Sequence, residues 1–171
     1  QNKLHWRRTP ARLESEVIRD SILKVSGRLD ERMFGAGTLD ERMLRRSIYF
    51  MIKRSKLIPS MQLFDSPEPL VSQGSRPVTI IAPQALHFMN NGQVRASAME
   101  LARQLKAQPD AAAAVTLGYQ TVLGRAPTPK EQKSIASFID VQEKSYTNNG
   151  RELALADFVQ VLFGLNEFIV Q

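Results

Sequence analysis

Residues 94–105, VRASAMELARQL, decide the fold, because their apolar side chains recur every three to four positions: Val94, Ala98, Leu101, Ala102 and Leu105. This spacing puts them on one face of an α-helix, which must be buried against other elements. Segments of the same kind fill the chain from Pro83 to its end, separated by short turns. Helices joined by short turns pack as antiparallel neighbours. The sequence therefore predicts an all-α helical bundle.

Capping residues mark the ends of these predicted helices. Asp110 is expected to cap a helix that ends at Gly124, and Thr128-Pro129-Lys130-Glu131 is a capping box with Pro at the first helical position. A shorter helix from Pro83 to Asn90 is closed by Asn91-Gly92, and Asn149-Gly150 turns into the last helix. The residues expected in the core are Val115, Tyr119, Val122, Ile135, Phe138, Ile139, Leu155, Phe158, Val159, Leu162 and Leu165.

The first 58 residues carry weaker signals. Thr9-Pro10 is a good helix start, followed at helical spacing by Ile18, Ile22, Val25 and Leu29, with Gly27 marking the end. The sequence Leu-Asp-Glu-Arg-Met occurs at 29–33 and again at 39–43, which we interpret as a turn flanked by two helix starts. Residues 45–58 suit a helix or a strand; helix is favoured because the segment is longer than most strands, and Pro59 stops it.

Residues 60–83 are predicted to form one long ordered loop within the bundle. They contain Pro67, Pro69, Gly74 and Pro77, and Val78-Thr79-Ile80-Ile81 could form a brief extended run. Loops of this length in compact domains are uncommon and often functional.

Composition is that of an ordinary globular domain. The 171 residues, 43% hydrophobic and 23% charged, predict one domain over 1–171. No stretch reaches the roughly 18 consecutive apolar residues of a membrane-spanning helix. The absence of cysteine excludes disulfides, thiolate metal sites and cysteine nucleophiles. Because the chain starts at Gln1 and not at a methionine, we expect it to be part of a longer protein, and the absence of a targeting signal therefore carries little information.

The charge is concentrated in the first third of the chain. Up to Ser60 there are fourteen basic and seven acidic residues, whereas the remainder holds nine basic and ten acidic ones. The net charge of +6 therefore belongs to the N-terminal third, where an anionic partner would bind.

Five short motifs occur in a fixed order. They are Arg45-Arg46-Ser47-Ile48-Tyr49-Phe50, Phe64-Asp65-Ser66-Pro67, Pro83-Gln84-Ala85-Leu86 through Asn90-Asn91, Leu123-Gly124-Arg125-Ala126-Pro127-Thr128, and Asn166-Glu167-Phe168. Together they resemble the C-terminal domain of planctomycete cytochrome-c-like surface proteins, a family of unknown function. The resemblance runs from about Leu4 to Phe168.

This resemblance implies a context for the chain. The parent protein would be large and exported, to the periplasm or the cell surface, with a haem-binding module upstream. The chain itself has no Cys-x-x-Cys-His motif, so no covalent c-type haem can attach within it. We therefore expect no cofactor in this chain and haem only in the upstream module, whose domains would be the partners of this one.

Patterns for catalysis or metal binding give no site. The two histidines, His5 and His87, are not spaced as ligands, and His87 is expected to be partly buried and hydrogen-bonded. Ser21-Ile22-Leu23-Lys24 matches a Ser-x-x-Lys pattern without its companion motifs, and Gly35-Ala36-Gly37 lacks the strand and lysine of a phosphate loop. The Asp-Glu pairs of the repeat are interpreted as helix caps. The sequence predicts no catalytic residue and no metal site.

Two weaker candidate sites remain. Basic residues cluster around Tyr49 and Phe50, and Trp6-Arg7-Arg8 repeats the mixture; the proposed anion-binding residues are Arg45, Arg46, Lys53, Arg54 and Lys56. They would suit nucleic acid or anionic polysaccharide, or form a solvated face docked on an acidic neighbour. A polar set lies around the long loop: Asp65, Arg76, Thr79, Gln84, Asn90 and Asn91. These residues are expected to pin the loop, or to line a concave site.

Three functions stay open at this point. The leading prediction is a non-enzymatic interaction or scaffolding domain of an exported, haem-carrying protein. The second is binding or catalysis on anionic glycans, with Asp65 and Arg76 as the functional pair. The third is nucleic-acid binding through the basic third, which conflicts with the exported compartment that the resemblance implies.

Overall fold

A computed structural model describes residue 4, residues 6–7 and residues 9–171. In that part of the chain the backbone forms eight α-helices and a single 3₁₀ turn, Ser47–Tyr49. The helices are α1 (Ser15–Val25), α2 (Pro59–Leu63), α3 (Ala82–Asn90), α4 (Gly92–Lys106), α5 (Ala111–Leu123), α6 (Pro129–Ser145), α7 (Gly150–Phe163) and α8 (Asn166–Ile169). No strand occurs within these described residues, so the prediction of an all-α fold is confirmed.

The core lies around α7, which packs against α4 and α6. The five apolar residues of the deciding stretch, Val94 to Leu105, are all buried, as predicted. Phe158, Leu162 and Phe163 of α7 are fully buried beside them. Of the other expected core residues, Ile135, Phe138 and Leu165 are only partly buried against the same cluster. A core of this kind needs no crosslink to hold the bundle together.

The predicted caps are confirmed in α5 and α6. The Asp110 carboxylate accepts the Ala113 N–H at 2.7 Å, and Thr128 and Glu131 cap each other at 3.3 and 2.7 Å. Gly124 ends α5 with φ 71°, a left-handed conformation that glycine adopts without strain. Asn91 was predicted only to end the helix before it. It ends α3, and its side chain also caps the N-terminus of α4.

Helix α1 begins at Ser15, so the prediction of a start at Thr9-Pro10 is wrong. The reason lies at the other end of the chain. Ala11 and Gln171 exchange two backbone hydrogen bonds of 3.0 and 3.1 Å, and the Leu13 N–H donates to Ile169 at 2.8 Å. These bonds keep residues 11–13 extended. The predicted end is confirmed, because Gly27 takes φ 72° just after the helix.

The two copies of the repeat start no helix, which corrects our interpretation of them as helix starts and caps. Each forms an Asx turn instead: Asp30 Oδ1 accepts the Arg32 N–H at 3.1 Å, and Asp40 Oδ1 accepts the Arg42 N–H at 3.0 Å. Such a turn satisfies the backbone locally and competes with helix formation.

Residues 45–58 are not the favoured helix either. Only the 3₁₀ turn forms, and the Thr38 and Met51 N–H groups bond across to the Tyr49 and Thr38 carbonyls, both at 2.9 Å. Pairing between separate segments thus replaces the local helical bonds. Pro59, expected to stop a helix, is the first residue of α2, a position that suits its fixed φ.

The irregular loop between α2 and α3 covers residues 64–81, because α2 occupies the start of the predicted 60–83 segment. Residues 78–81 belong to no strand, and the backbone is extended at Ile81, just before α3. Across the described helices, none has the length and apolarity that crossing a bilayer requires.

Candidate functional site

The polar residues of the loop converge on Asp65, which lies just after α2 with φ 59°. Its carboxylate pairs at 2.5 Å with Arg12, whose side chain is only 3% exposed. The same guanidinium donates to the Phe64 carbonyl at 3.4 Å and lies 5.7 Å from the Phe64 ring centroid. Arg12 was not predicted as its partner, because 53 residues separate the two.

Asp65 and Gln84 together hold the end of the loop. Asp65 accepts the backbone N–H of Thr79 at 2.8 Å and the Thr79 hydroxyl at 2.9 Å. The buried Gln84 amide donates to the carbonyls of Leu63 and Thr79, at 2.9 and 3.2 Å, and accepts the Ile81 N–H at 3.3 Å. These side chains satisfy the backbone of Thr79 and Ile81 as a neighbouring strand would.

Arg76 pins the middle of the loop onto α1. Its guanidinium bonds to Glu16 at 2.7 Å, to the Ser15 hydroxyl at 2.8 Å and to the Asp65 carbonyl at 3.0 Å, and it lies 3.2 Å from Glu14. Burial by itself would raise the pKa of Glu16, but its hydrogen bonds, the strongest from Arg76, and the charge of Arg76 together outweigh burial and lower that pKa. Arg76 therefore contacts the backbone of Asp65 while Arg12 takes its carboxylate.

Asn90 lies at the exposed end of α3, outside this cluster. Of the predicted polar loop residues, the structure thus brings together Asp65, Arg76, Thr79 and Gln84 around the loop, and each is occupied by bonds within the chain.

The predicted basic site divides into two parts. Arg45 stacks on the Tyr49 ring at 3.5 Å and donates to the carbonyls of Arg32, Phe34 and Ala36, so it supports the chain itself. The Phe50 ring is likewise covered, by Arg19 at 4.7 Å. Arg46 is exposed and lies 3.9 Å from Asp20. One face of each aromatic ring is thus occupied by an arginine of the chain itself.

The second part is a sharp turn at residues 53–56. The Lys56 N–H donates to the Lys53 carbonyl at 2.9 Å, which closes the turn. Lys53, Arg54 and Lys56 are all exposed, and their side chains have no ion-pair partner among the residues described. Three cations with unused hydrogen-bond donors therefore lie at one tip of the molecule.

A groove of about 730 Å³ separates α1 from the segments 46–52 and 57–68. Its walls carry exposed apolar side chains, of which Ile48 is 73% and Ile52 80% exposed. Val17 and Met51 extend this apolar surface, while Glu68 and Asp20 lie among its polar residues. Sequence reasoning missed the groove, because nothing in residues 45–58 shows which side faces solvent.

A second cavity, about 50 Å³ in volume, lies between α1 and α3. His87 lines it and packs edge-on against Phe64 and Phe88, at 5.6 and 5.9 Å between ring centroids. Burial lowers the pKa of His87, and the charge of Glu41 opposes this effect. The Ser60 hydroxyl is buried here without a partner in the described residues, so the space suits a few waters. No group of three or more His, Asp or Glu among the described residues could hold a metal ion.

One comparison with known proteins identifies the family of the chain. The model of the PSD1 family matches residues 1–139, which include α1 to α5, the long loop and the basic third. The chain belongs to the PSD1 family. This family is described as protein of unknown function (DUF1553), in agreement with the unknown function of the family resembled. No curated protein and no solved structure matches the chain.

Proposed function

We propose that this PSD1 domain is a non-enzymatic interaction domain whose docking surface is the groove beside α1. The observation that carries the proposal is the pair of isoleucines, Ile48 and Ile52, exposed on the wall of a 730 Å³ groove. Apolar patches rimmed by charged residues mark interaction sites, since leaving them in water is unfavourable. The Glu68 carboxylate in the groove would face a basic residue of the partner, whereas Asp20 already bonds to Ser47 within the chain.

We propose further that the partner is a neighbouring domain of the same, larger protein. The resemblance to planctomycete cytochrome-c-like surface proteins supports an exported parent with a haem-binding module upstream. In this arrangement the haem belongs to the upstream module, and the present chain positions that module. The sequence upstream of Gln1 tests this context, which predicts a Cys-x-x-Cys-His motif there; its absence would contradict it.

Hydrogen exchange tests the groove. In the longer parent protein, amides of residues 46–52 should exchange more slowly than in the isolated chain, because the partner domain covers them. Ile48→Lys together with Ile52→Lys should restore fast exchange. Leu70→Lys, a matched change at another exposed apolar residue, should leave the protection in place. Equal exchange in the parent and the isolated chain would contradict docking at this groove.

The turn at residues 53–56 favours a second candidate function, binding of a polyanion. Its three cations form no ion pair among the described residues, although the charge of Lys56 helps to lower the pKa of Asp40, so their N–H groups are available to sulfate, carboxylate or phosphate groups. Because both nearby aromatic rings are covered by arginines, we expect charge recognition without base stacking. Catalysis on a glycan through Asp65 and Arg76 would require these groups to leave their present ion pairs, so the geometry favours binding over chemistry.

Retention on immobilised heparin tests this candidate. Lys53→Ala with Arg54→Ala should lower the salt concentration at which the chain elutes. The matched control is Arg32→Ala with Arg42→Ala, which removes the same charge from exposed arginines that already pair with Asp30 and Asp40. If the salt concentration at elution falls equally in the two variants, the effect is one of net charge, which would contradict a site at the turn. Equal retention on immobilised single-stranded DNA would favour general phosphate binding over glycan recognition.

A further inference from the structure

The segment 78–81 presents one edge that is satisfied and one that is open. Asp65 and Gln84 bond the backbone of Thr79 and Ile81 on one side. Backbone groups alternate in direction along an extended chain, so those of Val78 and Ile80 face the other way. The described residues provide no hydrogen-bond partner for the Val78 and Ile80 backbone. The segment thus has one free backbone edge, although it belongs to no strand.

The side chains around this edge are apolar and exposed. Val78 is 61% and Ile80 84% exposed. The solvent side of α3, which follows directly, continues the surface with an exposed apolar stripe at positions i, i+3, i+4 and i+7: Ala82, Ala85, Leu86 and Met89. Its opposite side is buried through Gln84 and Phe88. A helix with apolar residues on both sides is expected to be covered.

Charge at this surface does not oppose a second copy of this chain, whose open backbone edge is complementary to itself. Between Pro77 and Val94 there is no Asp, Glu, Lys or Arg, although each molecule carries a net charge of +6. Two copies repel each other wherever their basic surfaces meet, and like charges across an interface exclude a partner. The uncharged surface formed by residues 77–94 lets two such molecules approach.

We propose that two copies of the chain pair antiparallel through residues 78–80, about a two-fold axis at Thr79. In this register Val78 lies opposite Ile80 of the second copy, and Ile80 opposite its Val78. Residues that face each other in this way exchange both backbone hydrogen bonds, so the two pairs use all four open groups of each copy. Thr79 then lies opposite itself at a non-hydrogen-bonded position, which fits because its own backbone groups already bond to Asp65 and Gln84.

The flanking residues limit this ladder. Pro77 has no N–H to donate, but in the proposed register it falls opposite Ile81 at a non-hydrogen-bonded position, where no donor is needed. A ladder of two residue pairs buries much less area than the standard interface, which buries about 800 Å² per partner. We therefore expect the dimer to form only at high protein concentration. The proposal does not depend on the groove beside α1, which lies at other residues.

Sedimentation velocity from micromolar to millimolar concentration tests the dimer. The wild-type chain should shift from monomer to dimer over this range. Ile80→Lys should weaken dimerisation about a hundredfold, because the two isoleucines that flank the axis at Thr79 are replaced by two like charges. Ile52→Lys is the matched control, since Ile52 is 80% exposed in the groove, and it should dimerise as the wild type does. A wild-type chain that stays monomeric, or a dimer unaffected by Ile80→Lys, would overturn the proposal.

Cross-linking tests the register itself. The chain has no cysteine, so Thr79→Cys introduces a single thiol at the proposed axis. Side chains at a non-hydrogen-bonded antiparallel pair are close enough for a disulfide. Under mild oxidation Thr79→Cys should form a covalent dimer at least about tenfold faster than Ile52→Cys. The proposed dimer brings the two thiols of the first variant together, but not those of the second. Equal rates would contradict an axis at Thr79, whatever the outcome at the groove.

Discussion

At the scale of single residues, Asp65 has the most consequences. One carboxylate neutralises the buried Arg12, bonds to Thr79 and so connects the N-terminal segment to the end of the loop. The backbone at Asp65 takes φ 59°, a conformation that Asp and Asn tolerate better than most residues. Position 65 therefore requires both a negative charge and a residue that tolerates a left-handed backbone.

Replacing Asp65 by Asn separates these requirements. Asn keeps the left-handed backbone but leaves the Arg12 guanidinium buried without its counter-charge. We expect the free energy of unfolding to fall by about 3–5 kcal/mol, as for other broken buried ion pairs. Urea denaturation measures the change. Asp40→Asn, in the exposed pair with Arg42, should lower the free energy of unfolding far less, because solvent screens that pair. Equal losses in the two variants would contradict the role assigned to Asp65.

Glu131 should make stability depend on pH. Hydrogen bonds from Arg125, and then from the Thr128 backbone, lower the pKa of Glu131 from 4.5 to about 2. Since the folded state favours the charged form, the stabilisation is fully present above pH 4.5 and is lost as the pH falls towards 2. Glu131→Gln should therefore flatten the dependence of unfolding free energy on pH in this range. Urea denaturation across the range tests it, and identical slopes for variant and wild type would refute it.

At the scale of elements, the close approach of α5 and α7 depends on Gly118. A Cβ added there would lie 2.7 Å from Phe158 Cε1 and 3.0 Å from its Cζ, inside van der Waals contact. The neighbouring Tyr119 stacks on the same ring at 6.1 Å between centroids. The absence of a side chain at one position thus sets how tightly the two helices pack.

Gly118→Ala should destabilise the chain although alanine is the better helix former. Overpacking against Phe158 costs about 1–3 kcal/mol, which outweighs a propensity gain of up to about 1 kcal/mol. Gly92→Ala, in the first turn of α4 with open space around it, provides the control and should be neutral or slightly stabilising. The thermal unfolding midpoints of both variants test this prediction. A Gly118→Ala variant more stable than the wild type would show that the two helices can move apart.

At the scale of the whole molecule, one hydrophobic cluster reaches from α1 to α8. Ile18 and Ile22 of α1 and Phe64 after α2 belong to the same buried cluster as Phe158 and Phe168. The backbone bonds between Ala11 and Gln171 also join the two ends of the described chain. The sequence-based expectation of a single domain over 1–171 has not been tested.

That expectation predicts one cooperative unfolding transition. Far- and near-ultraviolet circular dichroism should show the same midpoint, because α1 cannot separate without exposing the shared core. A fragment of residues 1–81 should be largely unfolded, since its longest helix has 11 residues and short isolated helices are marginal in water. Two resolved transitions, or a folded 1–81 fragment, would contradict a single domain.

The sequence-based predictions were correct where the deciding interactions join residues close together in the sequence. From α3 onwards, caps such as Asp110 and stripes such as Val94 to Leu105 act within a few residues, so the helices were predicted correctly. In residues 9–14 and 29–58 the expected helices are replaced by backbone bonds from distant segments, as between Leu13 and Ile169, and by the Asx turns at Asp30 and Asp40, so the predictions there were wrong. The polar loop residues were named, but Arg12, the partner of Asp65, was not.

The amino-acid sequence by itself determined the helical class, most helix boundaries after Pro83 and the net basic charge, because each depends on neighbouring residues or on composition. Only the tertiary structure decided which cations stay free, which apolar side chains face solvent and where the edge at Val78 and Ile80 lies open. These properties depend on contacts between residues far apart in the chain, such as Asp65 with Arg12, and spacing along a sequence carries no record of them.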